Sequence, residues 1–208
     1  MSQKKFYLLQ VNDALFPIGA YSHSQGLETY IQNGIVHDEK TAEEYIKNKI
    51  KWNFATTELL SVKLAYESAE AESLEELEEL EEILEASRIP MEQRDAVRKM
   101  GSRFVKTIEK LDLEINENGI YKEYVTARKG KNISHSCVYG VFCSALGIEL
   151  EEALEHYLYA QTSAMVTNCV KTIPLSQSVG QKLLSSCFFE FQEVLETLKT
   201  QTKEDLCL

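Results

Sequence analysis

Val97-Arg-Lys-Met-Gly-Ser-Arg-Phe-Val-Lys-Thr-Ile-Glu-Lys-Leu111 decides the fold. Val97, Met100, Phe104, Ile108 and Leu111 recur at intervals of three and four, the period of one face of an α-helix. Arg94, Arg98, Lys99, Arg103 and Lys106 take the other faces. Pro90 stands ahead of this run, where a first helical turn tolerates it.

The same period extends in both directions. Upstream, Thr41-Ala-Glu-Glu44 reads as a capping box. From there to about Glu67 no Gly or Pro interrupts, leaving room for about 28 helical residues, or roughly 40 Å. Tyr45, Ile46, Ile50, Phe54, Leu59, Val62 and Tyr66 form its apolar stripe. Downstream, loops near Asn116–Gly119 and Lys129–Asn132 bracket a short helix. Residues 134–146, SHSCVYGVFCSAL, are nearly all apolar after a cap, as a buried helix requires. Gly147 ends it. Leu150, Leu154, Tyr157, Leu158, Gln161 and Met165 trace a further helix to about Lys171. Pro174 is expected to start another, and Phe188, Phe191, Leu195 and Leu198 mark the last.

Nine Gly and three Pro in 208 residues are too few for a hairpin-rich sandwich or barrel, and no strand alternation is present. The expectation is therefore all-α: one domain over residues 1–208, a bundle or array of about ten helices. No apolar run reaches the roughly 18 residues that span a bilayer. The N-terminus, MSQKKFYLLQVNDALF, lacks a sustained apolar stretch and a small-residue cleavage site, so it reads as mature protein.

The net charge of −11 is concentrated. Residues 67–86, ESAEAESLEELEELEEILEA, hold ten Glu and no Lys or Arg, which leaves the rest at −1. Leu74, Leu77, Leu80, Ile83 and Leu84 make this segment an amphipathic helix with Glu on its outer sides, its ends loosened by like charge. The overall balance gives no reason to expect nucleic acid, which needs a basic face. Five Cys, an odd number without a Cys-x-x-Cys pair, fit a reducing cytosol better than a disulfide framework.

Nucleotide-binding and hydrolase signatures are absent. Of His23, His37, His135 and His156, none lies four residues from another, so no helical metal pair is ready-made. His135 and Cys137 are two apart and would point to different faces, which makes His135 structural or merely exposed.

Two stretches stand out. In Phe16-Pro-Ile-Gly-Ala-Tyr-Ser-His-Ser-Gln-Gly-Leu-Glu28, Pro17 and Gly19 break a helix, and Ser22 or Ser24 can cap the next. Polar groups crowd there from Tyr21 to Gln25. A capped turn is the plainer reading; a partner-binding surface is the functional one. In Tyr157–Gln181, Ala160, Ser163, Ala164 and Thr167 permit close helix approach, and Gln161, Thr162, Thr167 and Asn168 need partners if buried. Lys171 suits the negative end of the helix dipole.

These stretches, LLQVNDALFPIGAYSHSQGLE and YLYAQTSAMVTNCVKTIPLSQSVGQKLL, with PMEQRDAVRKMGSRF and VYGVFCSALGIELEEAL between them, resemble the urease accessory protein family UreF over nearly the whole chain. The resemblance implies an all-helical, dimeric scaffold in the cytoplasm. It implies binding to UreD (UreH in some organisms) and the GTPase UreG, and GTP-dependent delivery of nickel to apo-urease. It implies no catalytic centre, no tightly bound cofactor and no metal ligands of the chain's own. Tyr21, Ser22, His23, Ser24, Gln25 and Glu28, with Lys171 and Gln177, are the expected partner or dimer surface. Relatives commonly carry Arg at the place of Lys171 and Gly at that of Ser176. Lys keeps the charge but not the planar fork of donors. Arg94, Arg98 and Arg103 would be the candidates if the protein instead regulated GTP hydrolysis by UreG.

Overall fold

The computed structural model describes residues 3–19, 26–88 and 91–207. Among them there is no β-strand, as the sequence predicts. The helices are α1 (Lys4–Val11), α2 (Leu27–Gln32), α3 (Glu39–Lys49), α4 (Leu60–Glu70), α5 (Leu74–Ser87), α6 (Met91–Ile108), α7 (Gly119–Ala127), α8 (His135–Ala145), α9 (Leu150–Thr172), α10 (Gln177–Ser186) and α11 (Phe188–Leu198). A π-helical stretch, Ile50–Leu59, joins α3 to α4 without a break. The described segments therefore make ten rods, close to the expected number.

α8 is the centre. Every residue from His135 to Ser144 is buried, because the segment is apolar on all sides. α4, α6, α7 and α9 pack around it. The closest approach is at Gly140, where a Cβ would stand 2.4 Å from the Val62 carbonyl oxygen of α4. Phe104 of α6 reaches the same centre, with its ring centroid 5.4 Å from that of Phe142. α9, about 34 Å long at 1.5 Å per residue, carries α1, α2, α3, α10 and α11 on its flanks. The buried apolar residues join into one core from Leu8 to Leu206.

The long rod starts three residues earlier than the sequence suggests. Asp38 is the N-cap, and its carboxylate accepts from Thr41 N at 2.8 Å while Thr41 Oγ1 lies 3.0 Å from Asp38 N. The Thr41–Glu44 box is thus replaced by Asp38–Thr41, because Asp caps at least as well as Thr. The π-helical stretch was also not expected. Its cause lies in the apolar spacing: Phe54 and Leu59 are both buried though five residues apart, one more than an α-turn aligns. An inserted residue lets both face the core.

The acidic segment departs from its expected role as a loosened outer helix. It divides between the end of α4 and α5, and Ser73 caps α5 through Glu76 N at 3.3 Å. Leu77, Leu80 and Leu84 are buried, and so is Glu81, at 1% exposure. The Glu81 carboxylate accepts from Ser134 N at 2.8 Å, from Ser134 Oγ at 2.7 Å and from the Tyr124 hydroxyl. It ties α5 to α7 and to the start of α8. Outer carboxylates find cations as well: Glu78 meets Lys131 at 2.9 Å, and Glu79 meets Lys203.

Two further boundaries shift. α6 ends at Ile108, so Leu111 lies beyond it. α10 begins at Gln177 and not at Pro174, because Ser176 supplies the cap by accepting from Val179 N at 3.2 Å.

Candidate functional site

The two stretches singled out in the sequence meet in space. A cavity of about 430 Å³ lies between the turn after α1 and the middle of α9. Asn12, Asp13, Phe16 and Ile18 line one wall, and Tyr159, Gln161, Ser163 and Thr167 the other. Ala160 and Ala164 lie on the α9 wall, and their small side chains leave the room. His135, the first residue of α8, lines the interior, and His156 joins the α9 wall.

The floor is polar and held in place. Asn12 Nδ2 donates to Leu8 O at 2.9 Å and to the Tyr139 hydroxyl at 2.8 Å; that hydroxyl donates to Ala153 O at 3.1 Å. These bonds fix the end of α1 against α8 and α9. His135 Nδ1 lies 3.3 Å from the Tyr157 hydroxyl, while Nε2 is enclosed without a partner among the described residues. Burial holds the His135 pKa down to about 4, so the imidazole is neutral at pH 7. Burial likewise raises the phenols of Tyr139 and Tyr157. The ring centroids of Phe104 and Tyr157 lie 5.5 Å from that of His135. Among the described residues, no group of three or more His, Cys, Asp or Glu is placed to hold a metal ion.

The rim is apolar and open. Leu9 and Tyr159, which line the cavity, are each about half exposed, and Leu15, between the lining residues Ala14 and Phe16, is 90% exposed. Leu9 and Tyr159 belong to opposite walls of the cavity. Large apolar side chains gathered around a concavity mark a surface that another molecule covers.

Tyr21, Ser22, His23, Ser24 and Gln25 lie outside the described residues. Gly26 holds the N-cap position of α2 at φ +94°, a conformation that favours glycine. Glu28 is exposed in the first turn of α2, which packs on α9. Lys171 is exposed in the last turn of α9, and Gln177 is exposed at the start of α10. Gly180 lets α10 lie against α9, since a Cβ there would meet Val170 at 2.8 Å. The expected surface residues within the described chain thus all sit on α9 or on helices packed against it.

The three arginines fall elsewhere, on α6, and all are exposed. Arg94 donates to Arg88 O at 3.2 Å, Arg98 pairs with Asp95 at 3.7 Å, and Arg103 reaches Ile18 O at 3.4 Å. Arg94 and Arg98 face a small cleft shared with Glu81 and Glu85.

Sequence reading missed Asn12, Asp13 and His135 as parts of one site. Asn12 was visible only as a polar residue after α1. His135 is structural, being buried, and it also lines the cavity. Of the polar residues on α9, Thr167 bonds Ser163 O at 2.8 Å, while the Thr162 hydroxyl is enclosed without a partner among the described residues.

Fold and groove define the class: an all-helical array with a cavity of about 430 Å³ between the turn after α1 and α9. A family model for UreF matches residues 36–188. The chain belongs to the UreF family, and with it to the accessory proteins of urease maturation. No helix among the described residues is long and apolar enough to cross a membrane.

Proposed function

We propose that this protein is a scaffold for nickel insertion into apo-urease, working as a cytoplasmic homodimer. In this reading it binds UreD (or UreH) and the GTPase UreG and holds them in fixed relation while nickel, the cargo, passes to the urease active site. One observation carries the docking role: the two distinctive sequence stretches converge on one groove lined by the half-exposed Leu9 and Tyr159, with Leu15 in solvent between the lining residues Ala14 and Phe16. Burying such side chains against a partner contributes about 1.5–3 kcal/mol each. In this reading Glu28 on α2, Lys171 on α9 and Gln177 on α10 also contact a partner, and Tyr21, Ser22, His23, Ser24 and Gln25, which lie outside the described residues, are further candidates. A partner that binds more tightly when UreG holds GTP couples hydrolysis to release.

The test is co-purification with UreD and UreG, followed by urease activation with and without the chain. Leu15→Asp and Tyr159→Asp place charges on the rim at no cost to the core. The expected result is loss of one partner and of activation, with an unchanged melting temperature. Full complex formation and activation by both variants would sink the groove as the docking surface.

A second reading is that the protein stimulates GTP hydrolysis by UreG. It is favoured by the exposure of Arg94, Arg98 and Arg103 on one helix, since an arginine supplied in trans can raise the rate by about 10³-fold or more. Single Ala variants and a hydrolysis assay with UreG decide it: unchanged hydrolysis in all three removes this role.

A further inference from the structure

α6 has a face that the groove does not use. Lys99, Arg103 and Lys106 are four and three residues apart, which aligns them within about 60° of one another on the helix. Lys110 continues the line in the following turn, where Glu109 N still bonds Val105 O at 2.8 Å and Lys110 N bonds Thr107 O at 3.1 Å. All four are exposed. Arg103 reaches back to Ile18 O, whereas no ion pair among the described residues engages Lys99, Lys106 or Lys110. The line is about 17 Å long at 1.5 Å per residue.

The chain as a whole is acidic, with a net charge of −11. Elsewhere Lys47, Lys51, Lys131, Lys182 and Lys203 each meet a carboxylate. Acidic side chains are plentiful, yet among the described residues none pairs with Lys99, Lys106 or Lys110.

We propose that the α6 stripe of Lys99, Arg103, Lys106 and Lys110 docks an acidic segment of a protein partner, one carrying carboxylates at helical spacing over about 17 Å. Charge complementarity over a short, defined length is the argument. An extended polyanion fits less well, because a body of net charge −11 with exposed Glu75 and Glu82 repels it beyond the stripe. The proposal stands apart from the scaffold reading, since none of the four cations lines the groove, although Arg103 touches its wall at Ile18.

The experiment is fluorescence anisotropy with a labelled helical peptide that bears Glu at four-, three- and four-residue intervals in an Ala-rich background. It is run on the full chain at low salt, about 50 mM, and repeated at about 150 mM. Wild type should bind, more weakly at the higher salt. The variant K99E/K106E/K110E should bind about tenfold more weakly or worse. A control of equal charge change, K5E/K40E/K182E on α1, α3 and α10, should keep most of the affinity. Equal loss in the control, or none in the stripe variant, overturns the proposal. Tighter, stripe-dependent binding to a short DNA duplex or to phosphatidylserine vesicles overturns the assignment to protein. Stripe-dependent self-association in sedimentation velocity overturns it in favour of a second copy.

Discussion

Lowering the pH should destabilise this protein through one residue, His135. Its imidazole is 4% exposed and packed among Phe104, Tyr139 and Tyr157. Burial lowers its pKa from 6.5 to about 4 in the folded state. A histidine with a depressed folded pKa stays neutral in the native state while the unfolded chain takes up a proton. The unfolded state therefore binds more protons between pH 6.5 and 4, and stability falls as pH drops through that window. Between pH 7 and 4.5 the loss from this group alone is about 2 kcal/mol. Urea unfolding at the two pH values measures the total. The same pair of measurements on His135→Leu removes the titration, and carboxylates common to both proteins cancel in the difference. Wild type should lose about 2 kcal/mol more than the variant over this interval. Equal pH dependence in the two proteins would refute the reasoning, whatever the variant's stability at pH 7.

Other substitutions probe the frame around the groove. Glu81→Ala leaves the Ser134 and Tyr124 donors buried without their acceptor and should cost about 3 kcal/mol by urea unfolding, with Glu81→Gln milder. Gly140→Ala drives a Cβ onto the Val62 carbonyl and should cost about 1–3 kcal/mol, read as a lower melting temperature. Ser176→Ala removes the α10 cap and should cost about 1 kcal/mol, whereas Ser176→Gly should cost only a few tenths in the same assay.

Much of the helical frame was legible because amphipathic period is a local property. The runs through Phe104 and Ile108, through Leu77 and Leu84, and through residues 134–146 fell where the structure has α6, α5 and α8. Caps were legible less well. Asp38 and Ser176 compete with neighbours that cap nearly as well, and only the backbone conformation selects between them. The π-helical stretch left a trace in the five-residue gap between Phe54 and Leu59. That trace became a signal only once both residues were seen in one core.

The candidate site was half legible. Composition marked Phe16–Glu28 and Tyr157–Gln181 as unusual, and the small residues at 160, 163 and 164 announced a close approach. What approached them was not stated by either stretch. Asn12 and His135 are separated by more than a hundred residues and carry no shared period.

Read alone, the chain determined an all-helical fold, the absence of a spanning segment and the resemblance to UreF, because hydrophobic spacing and motif order are written along one dimension. Only the tertiary structure decided which carboxylate is buried, that the two distinctive stretches share a groove, and that Lys99 and Lys106 of α6 stand exposed with no ion pair among the described residues. Those facts depend on distances between residues far apart in sequence, and packing sets such distances. Glu81 is the clearest case: one of ten similar glutamates, it is inside because Ser134 and Tyr124 are there to receive it.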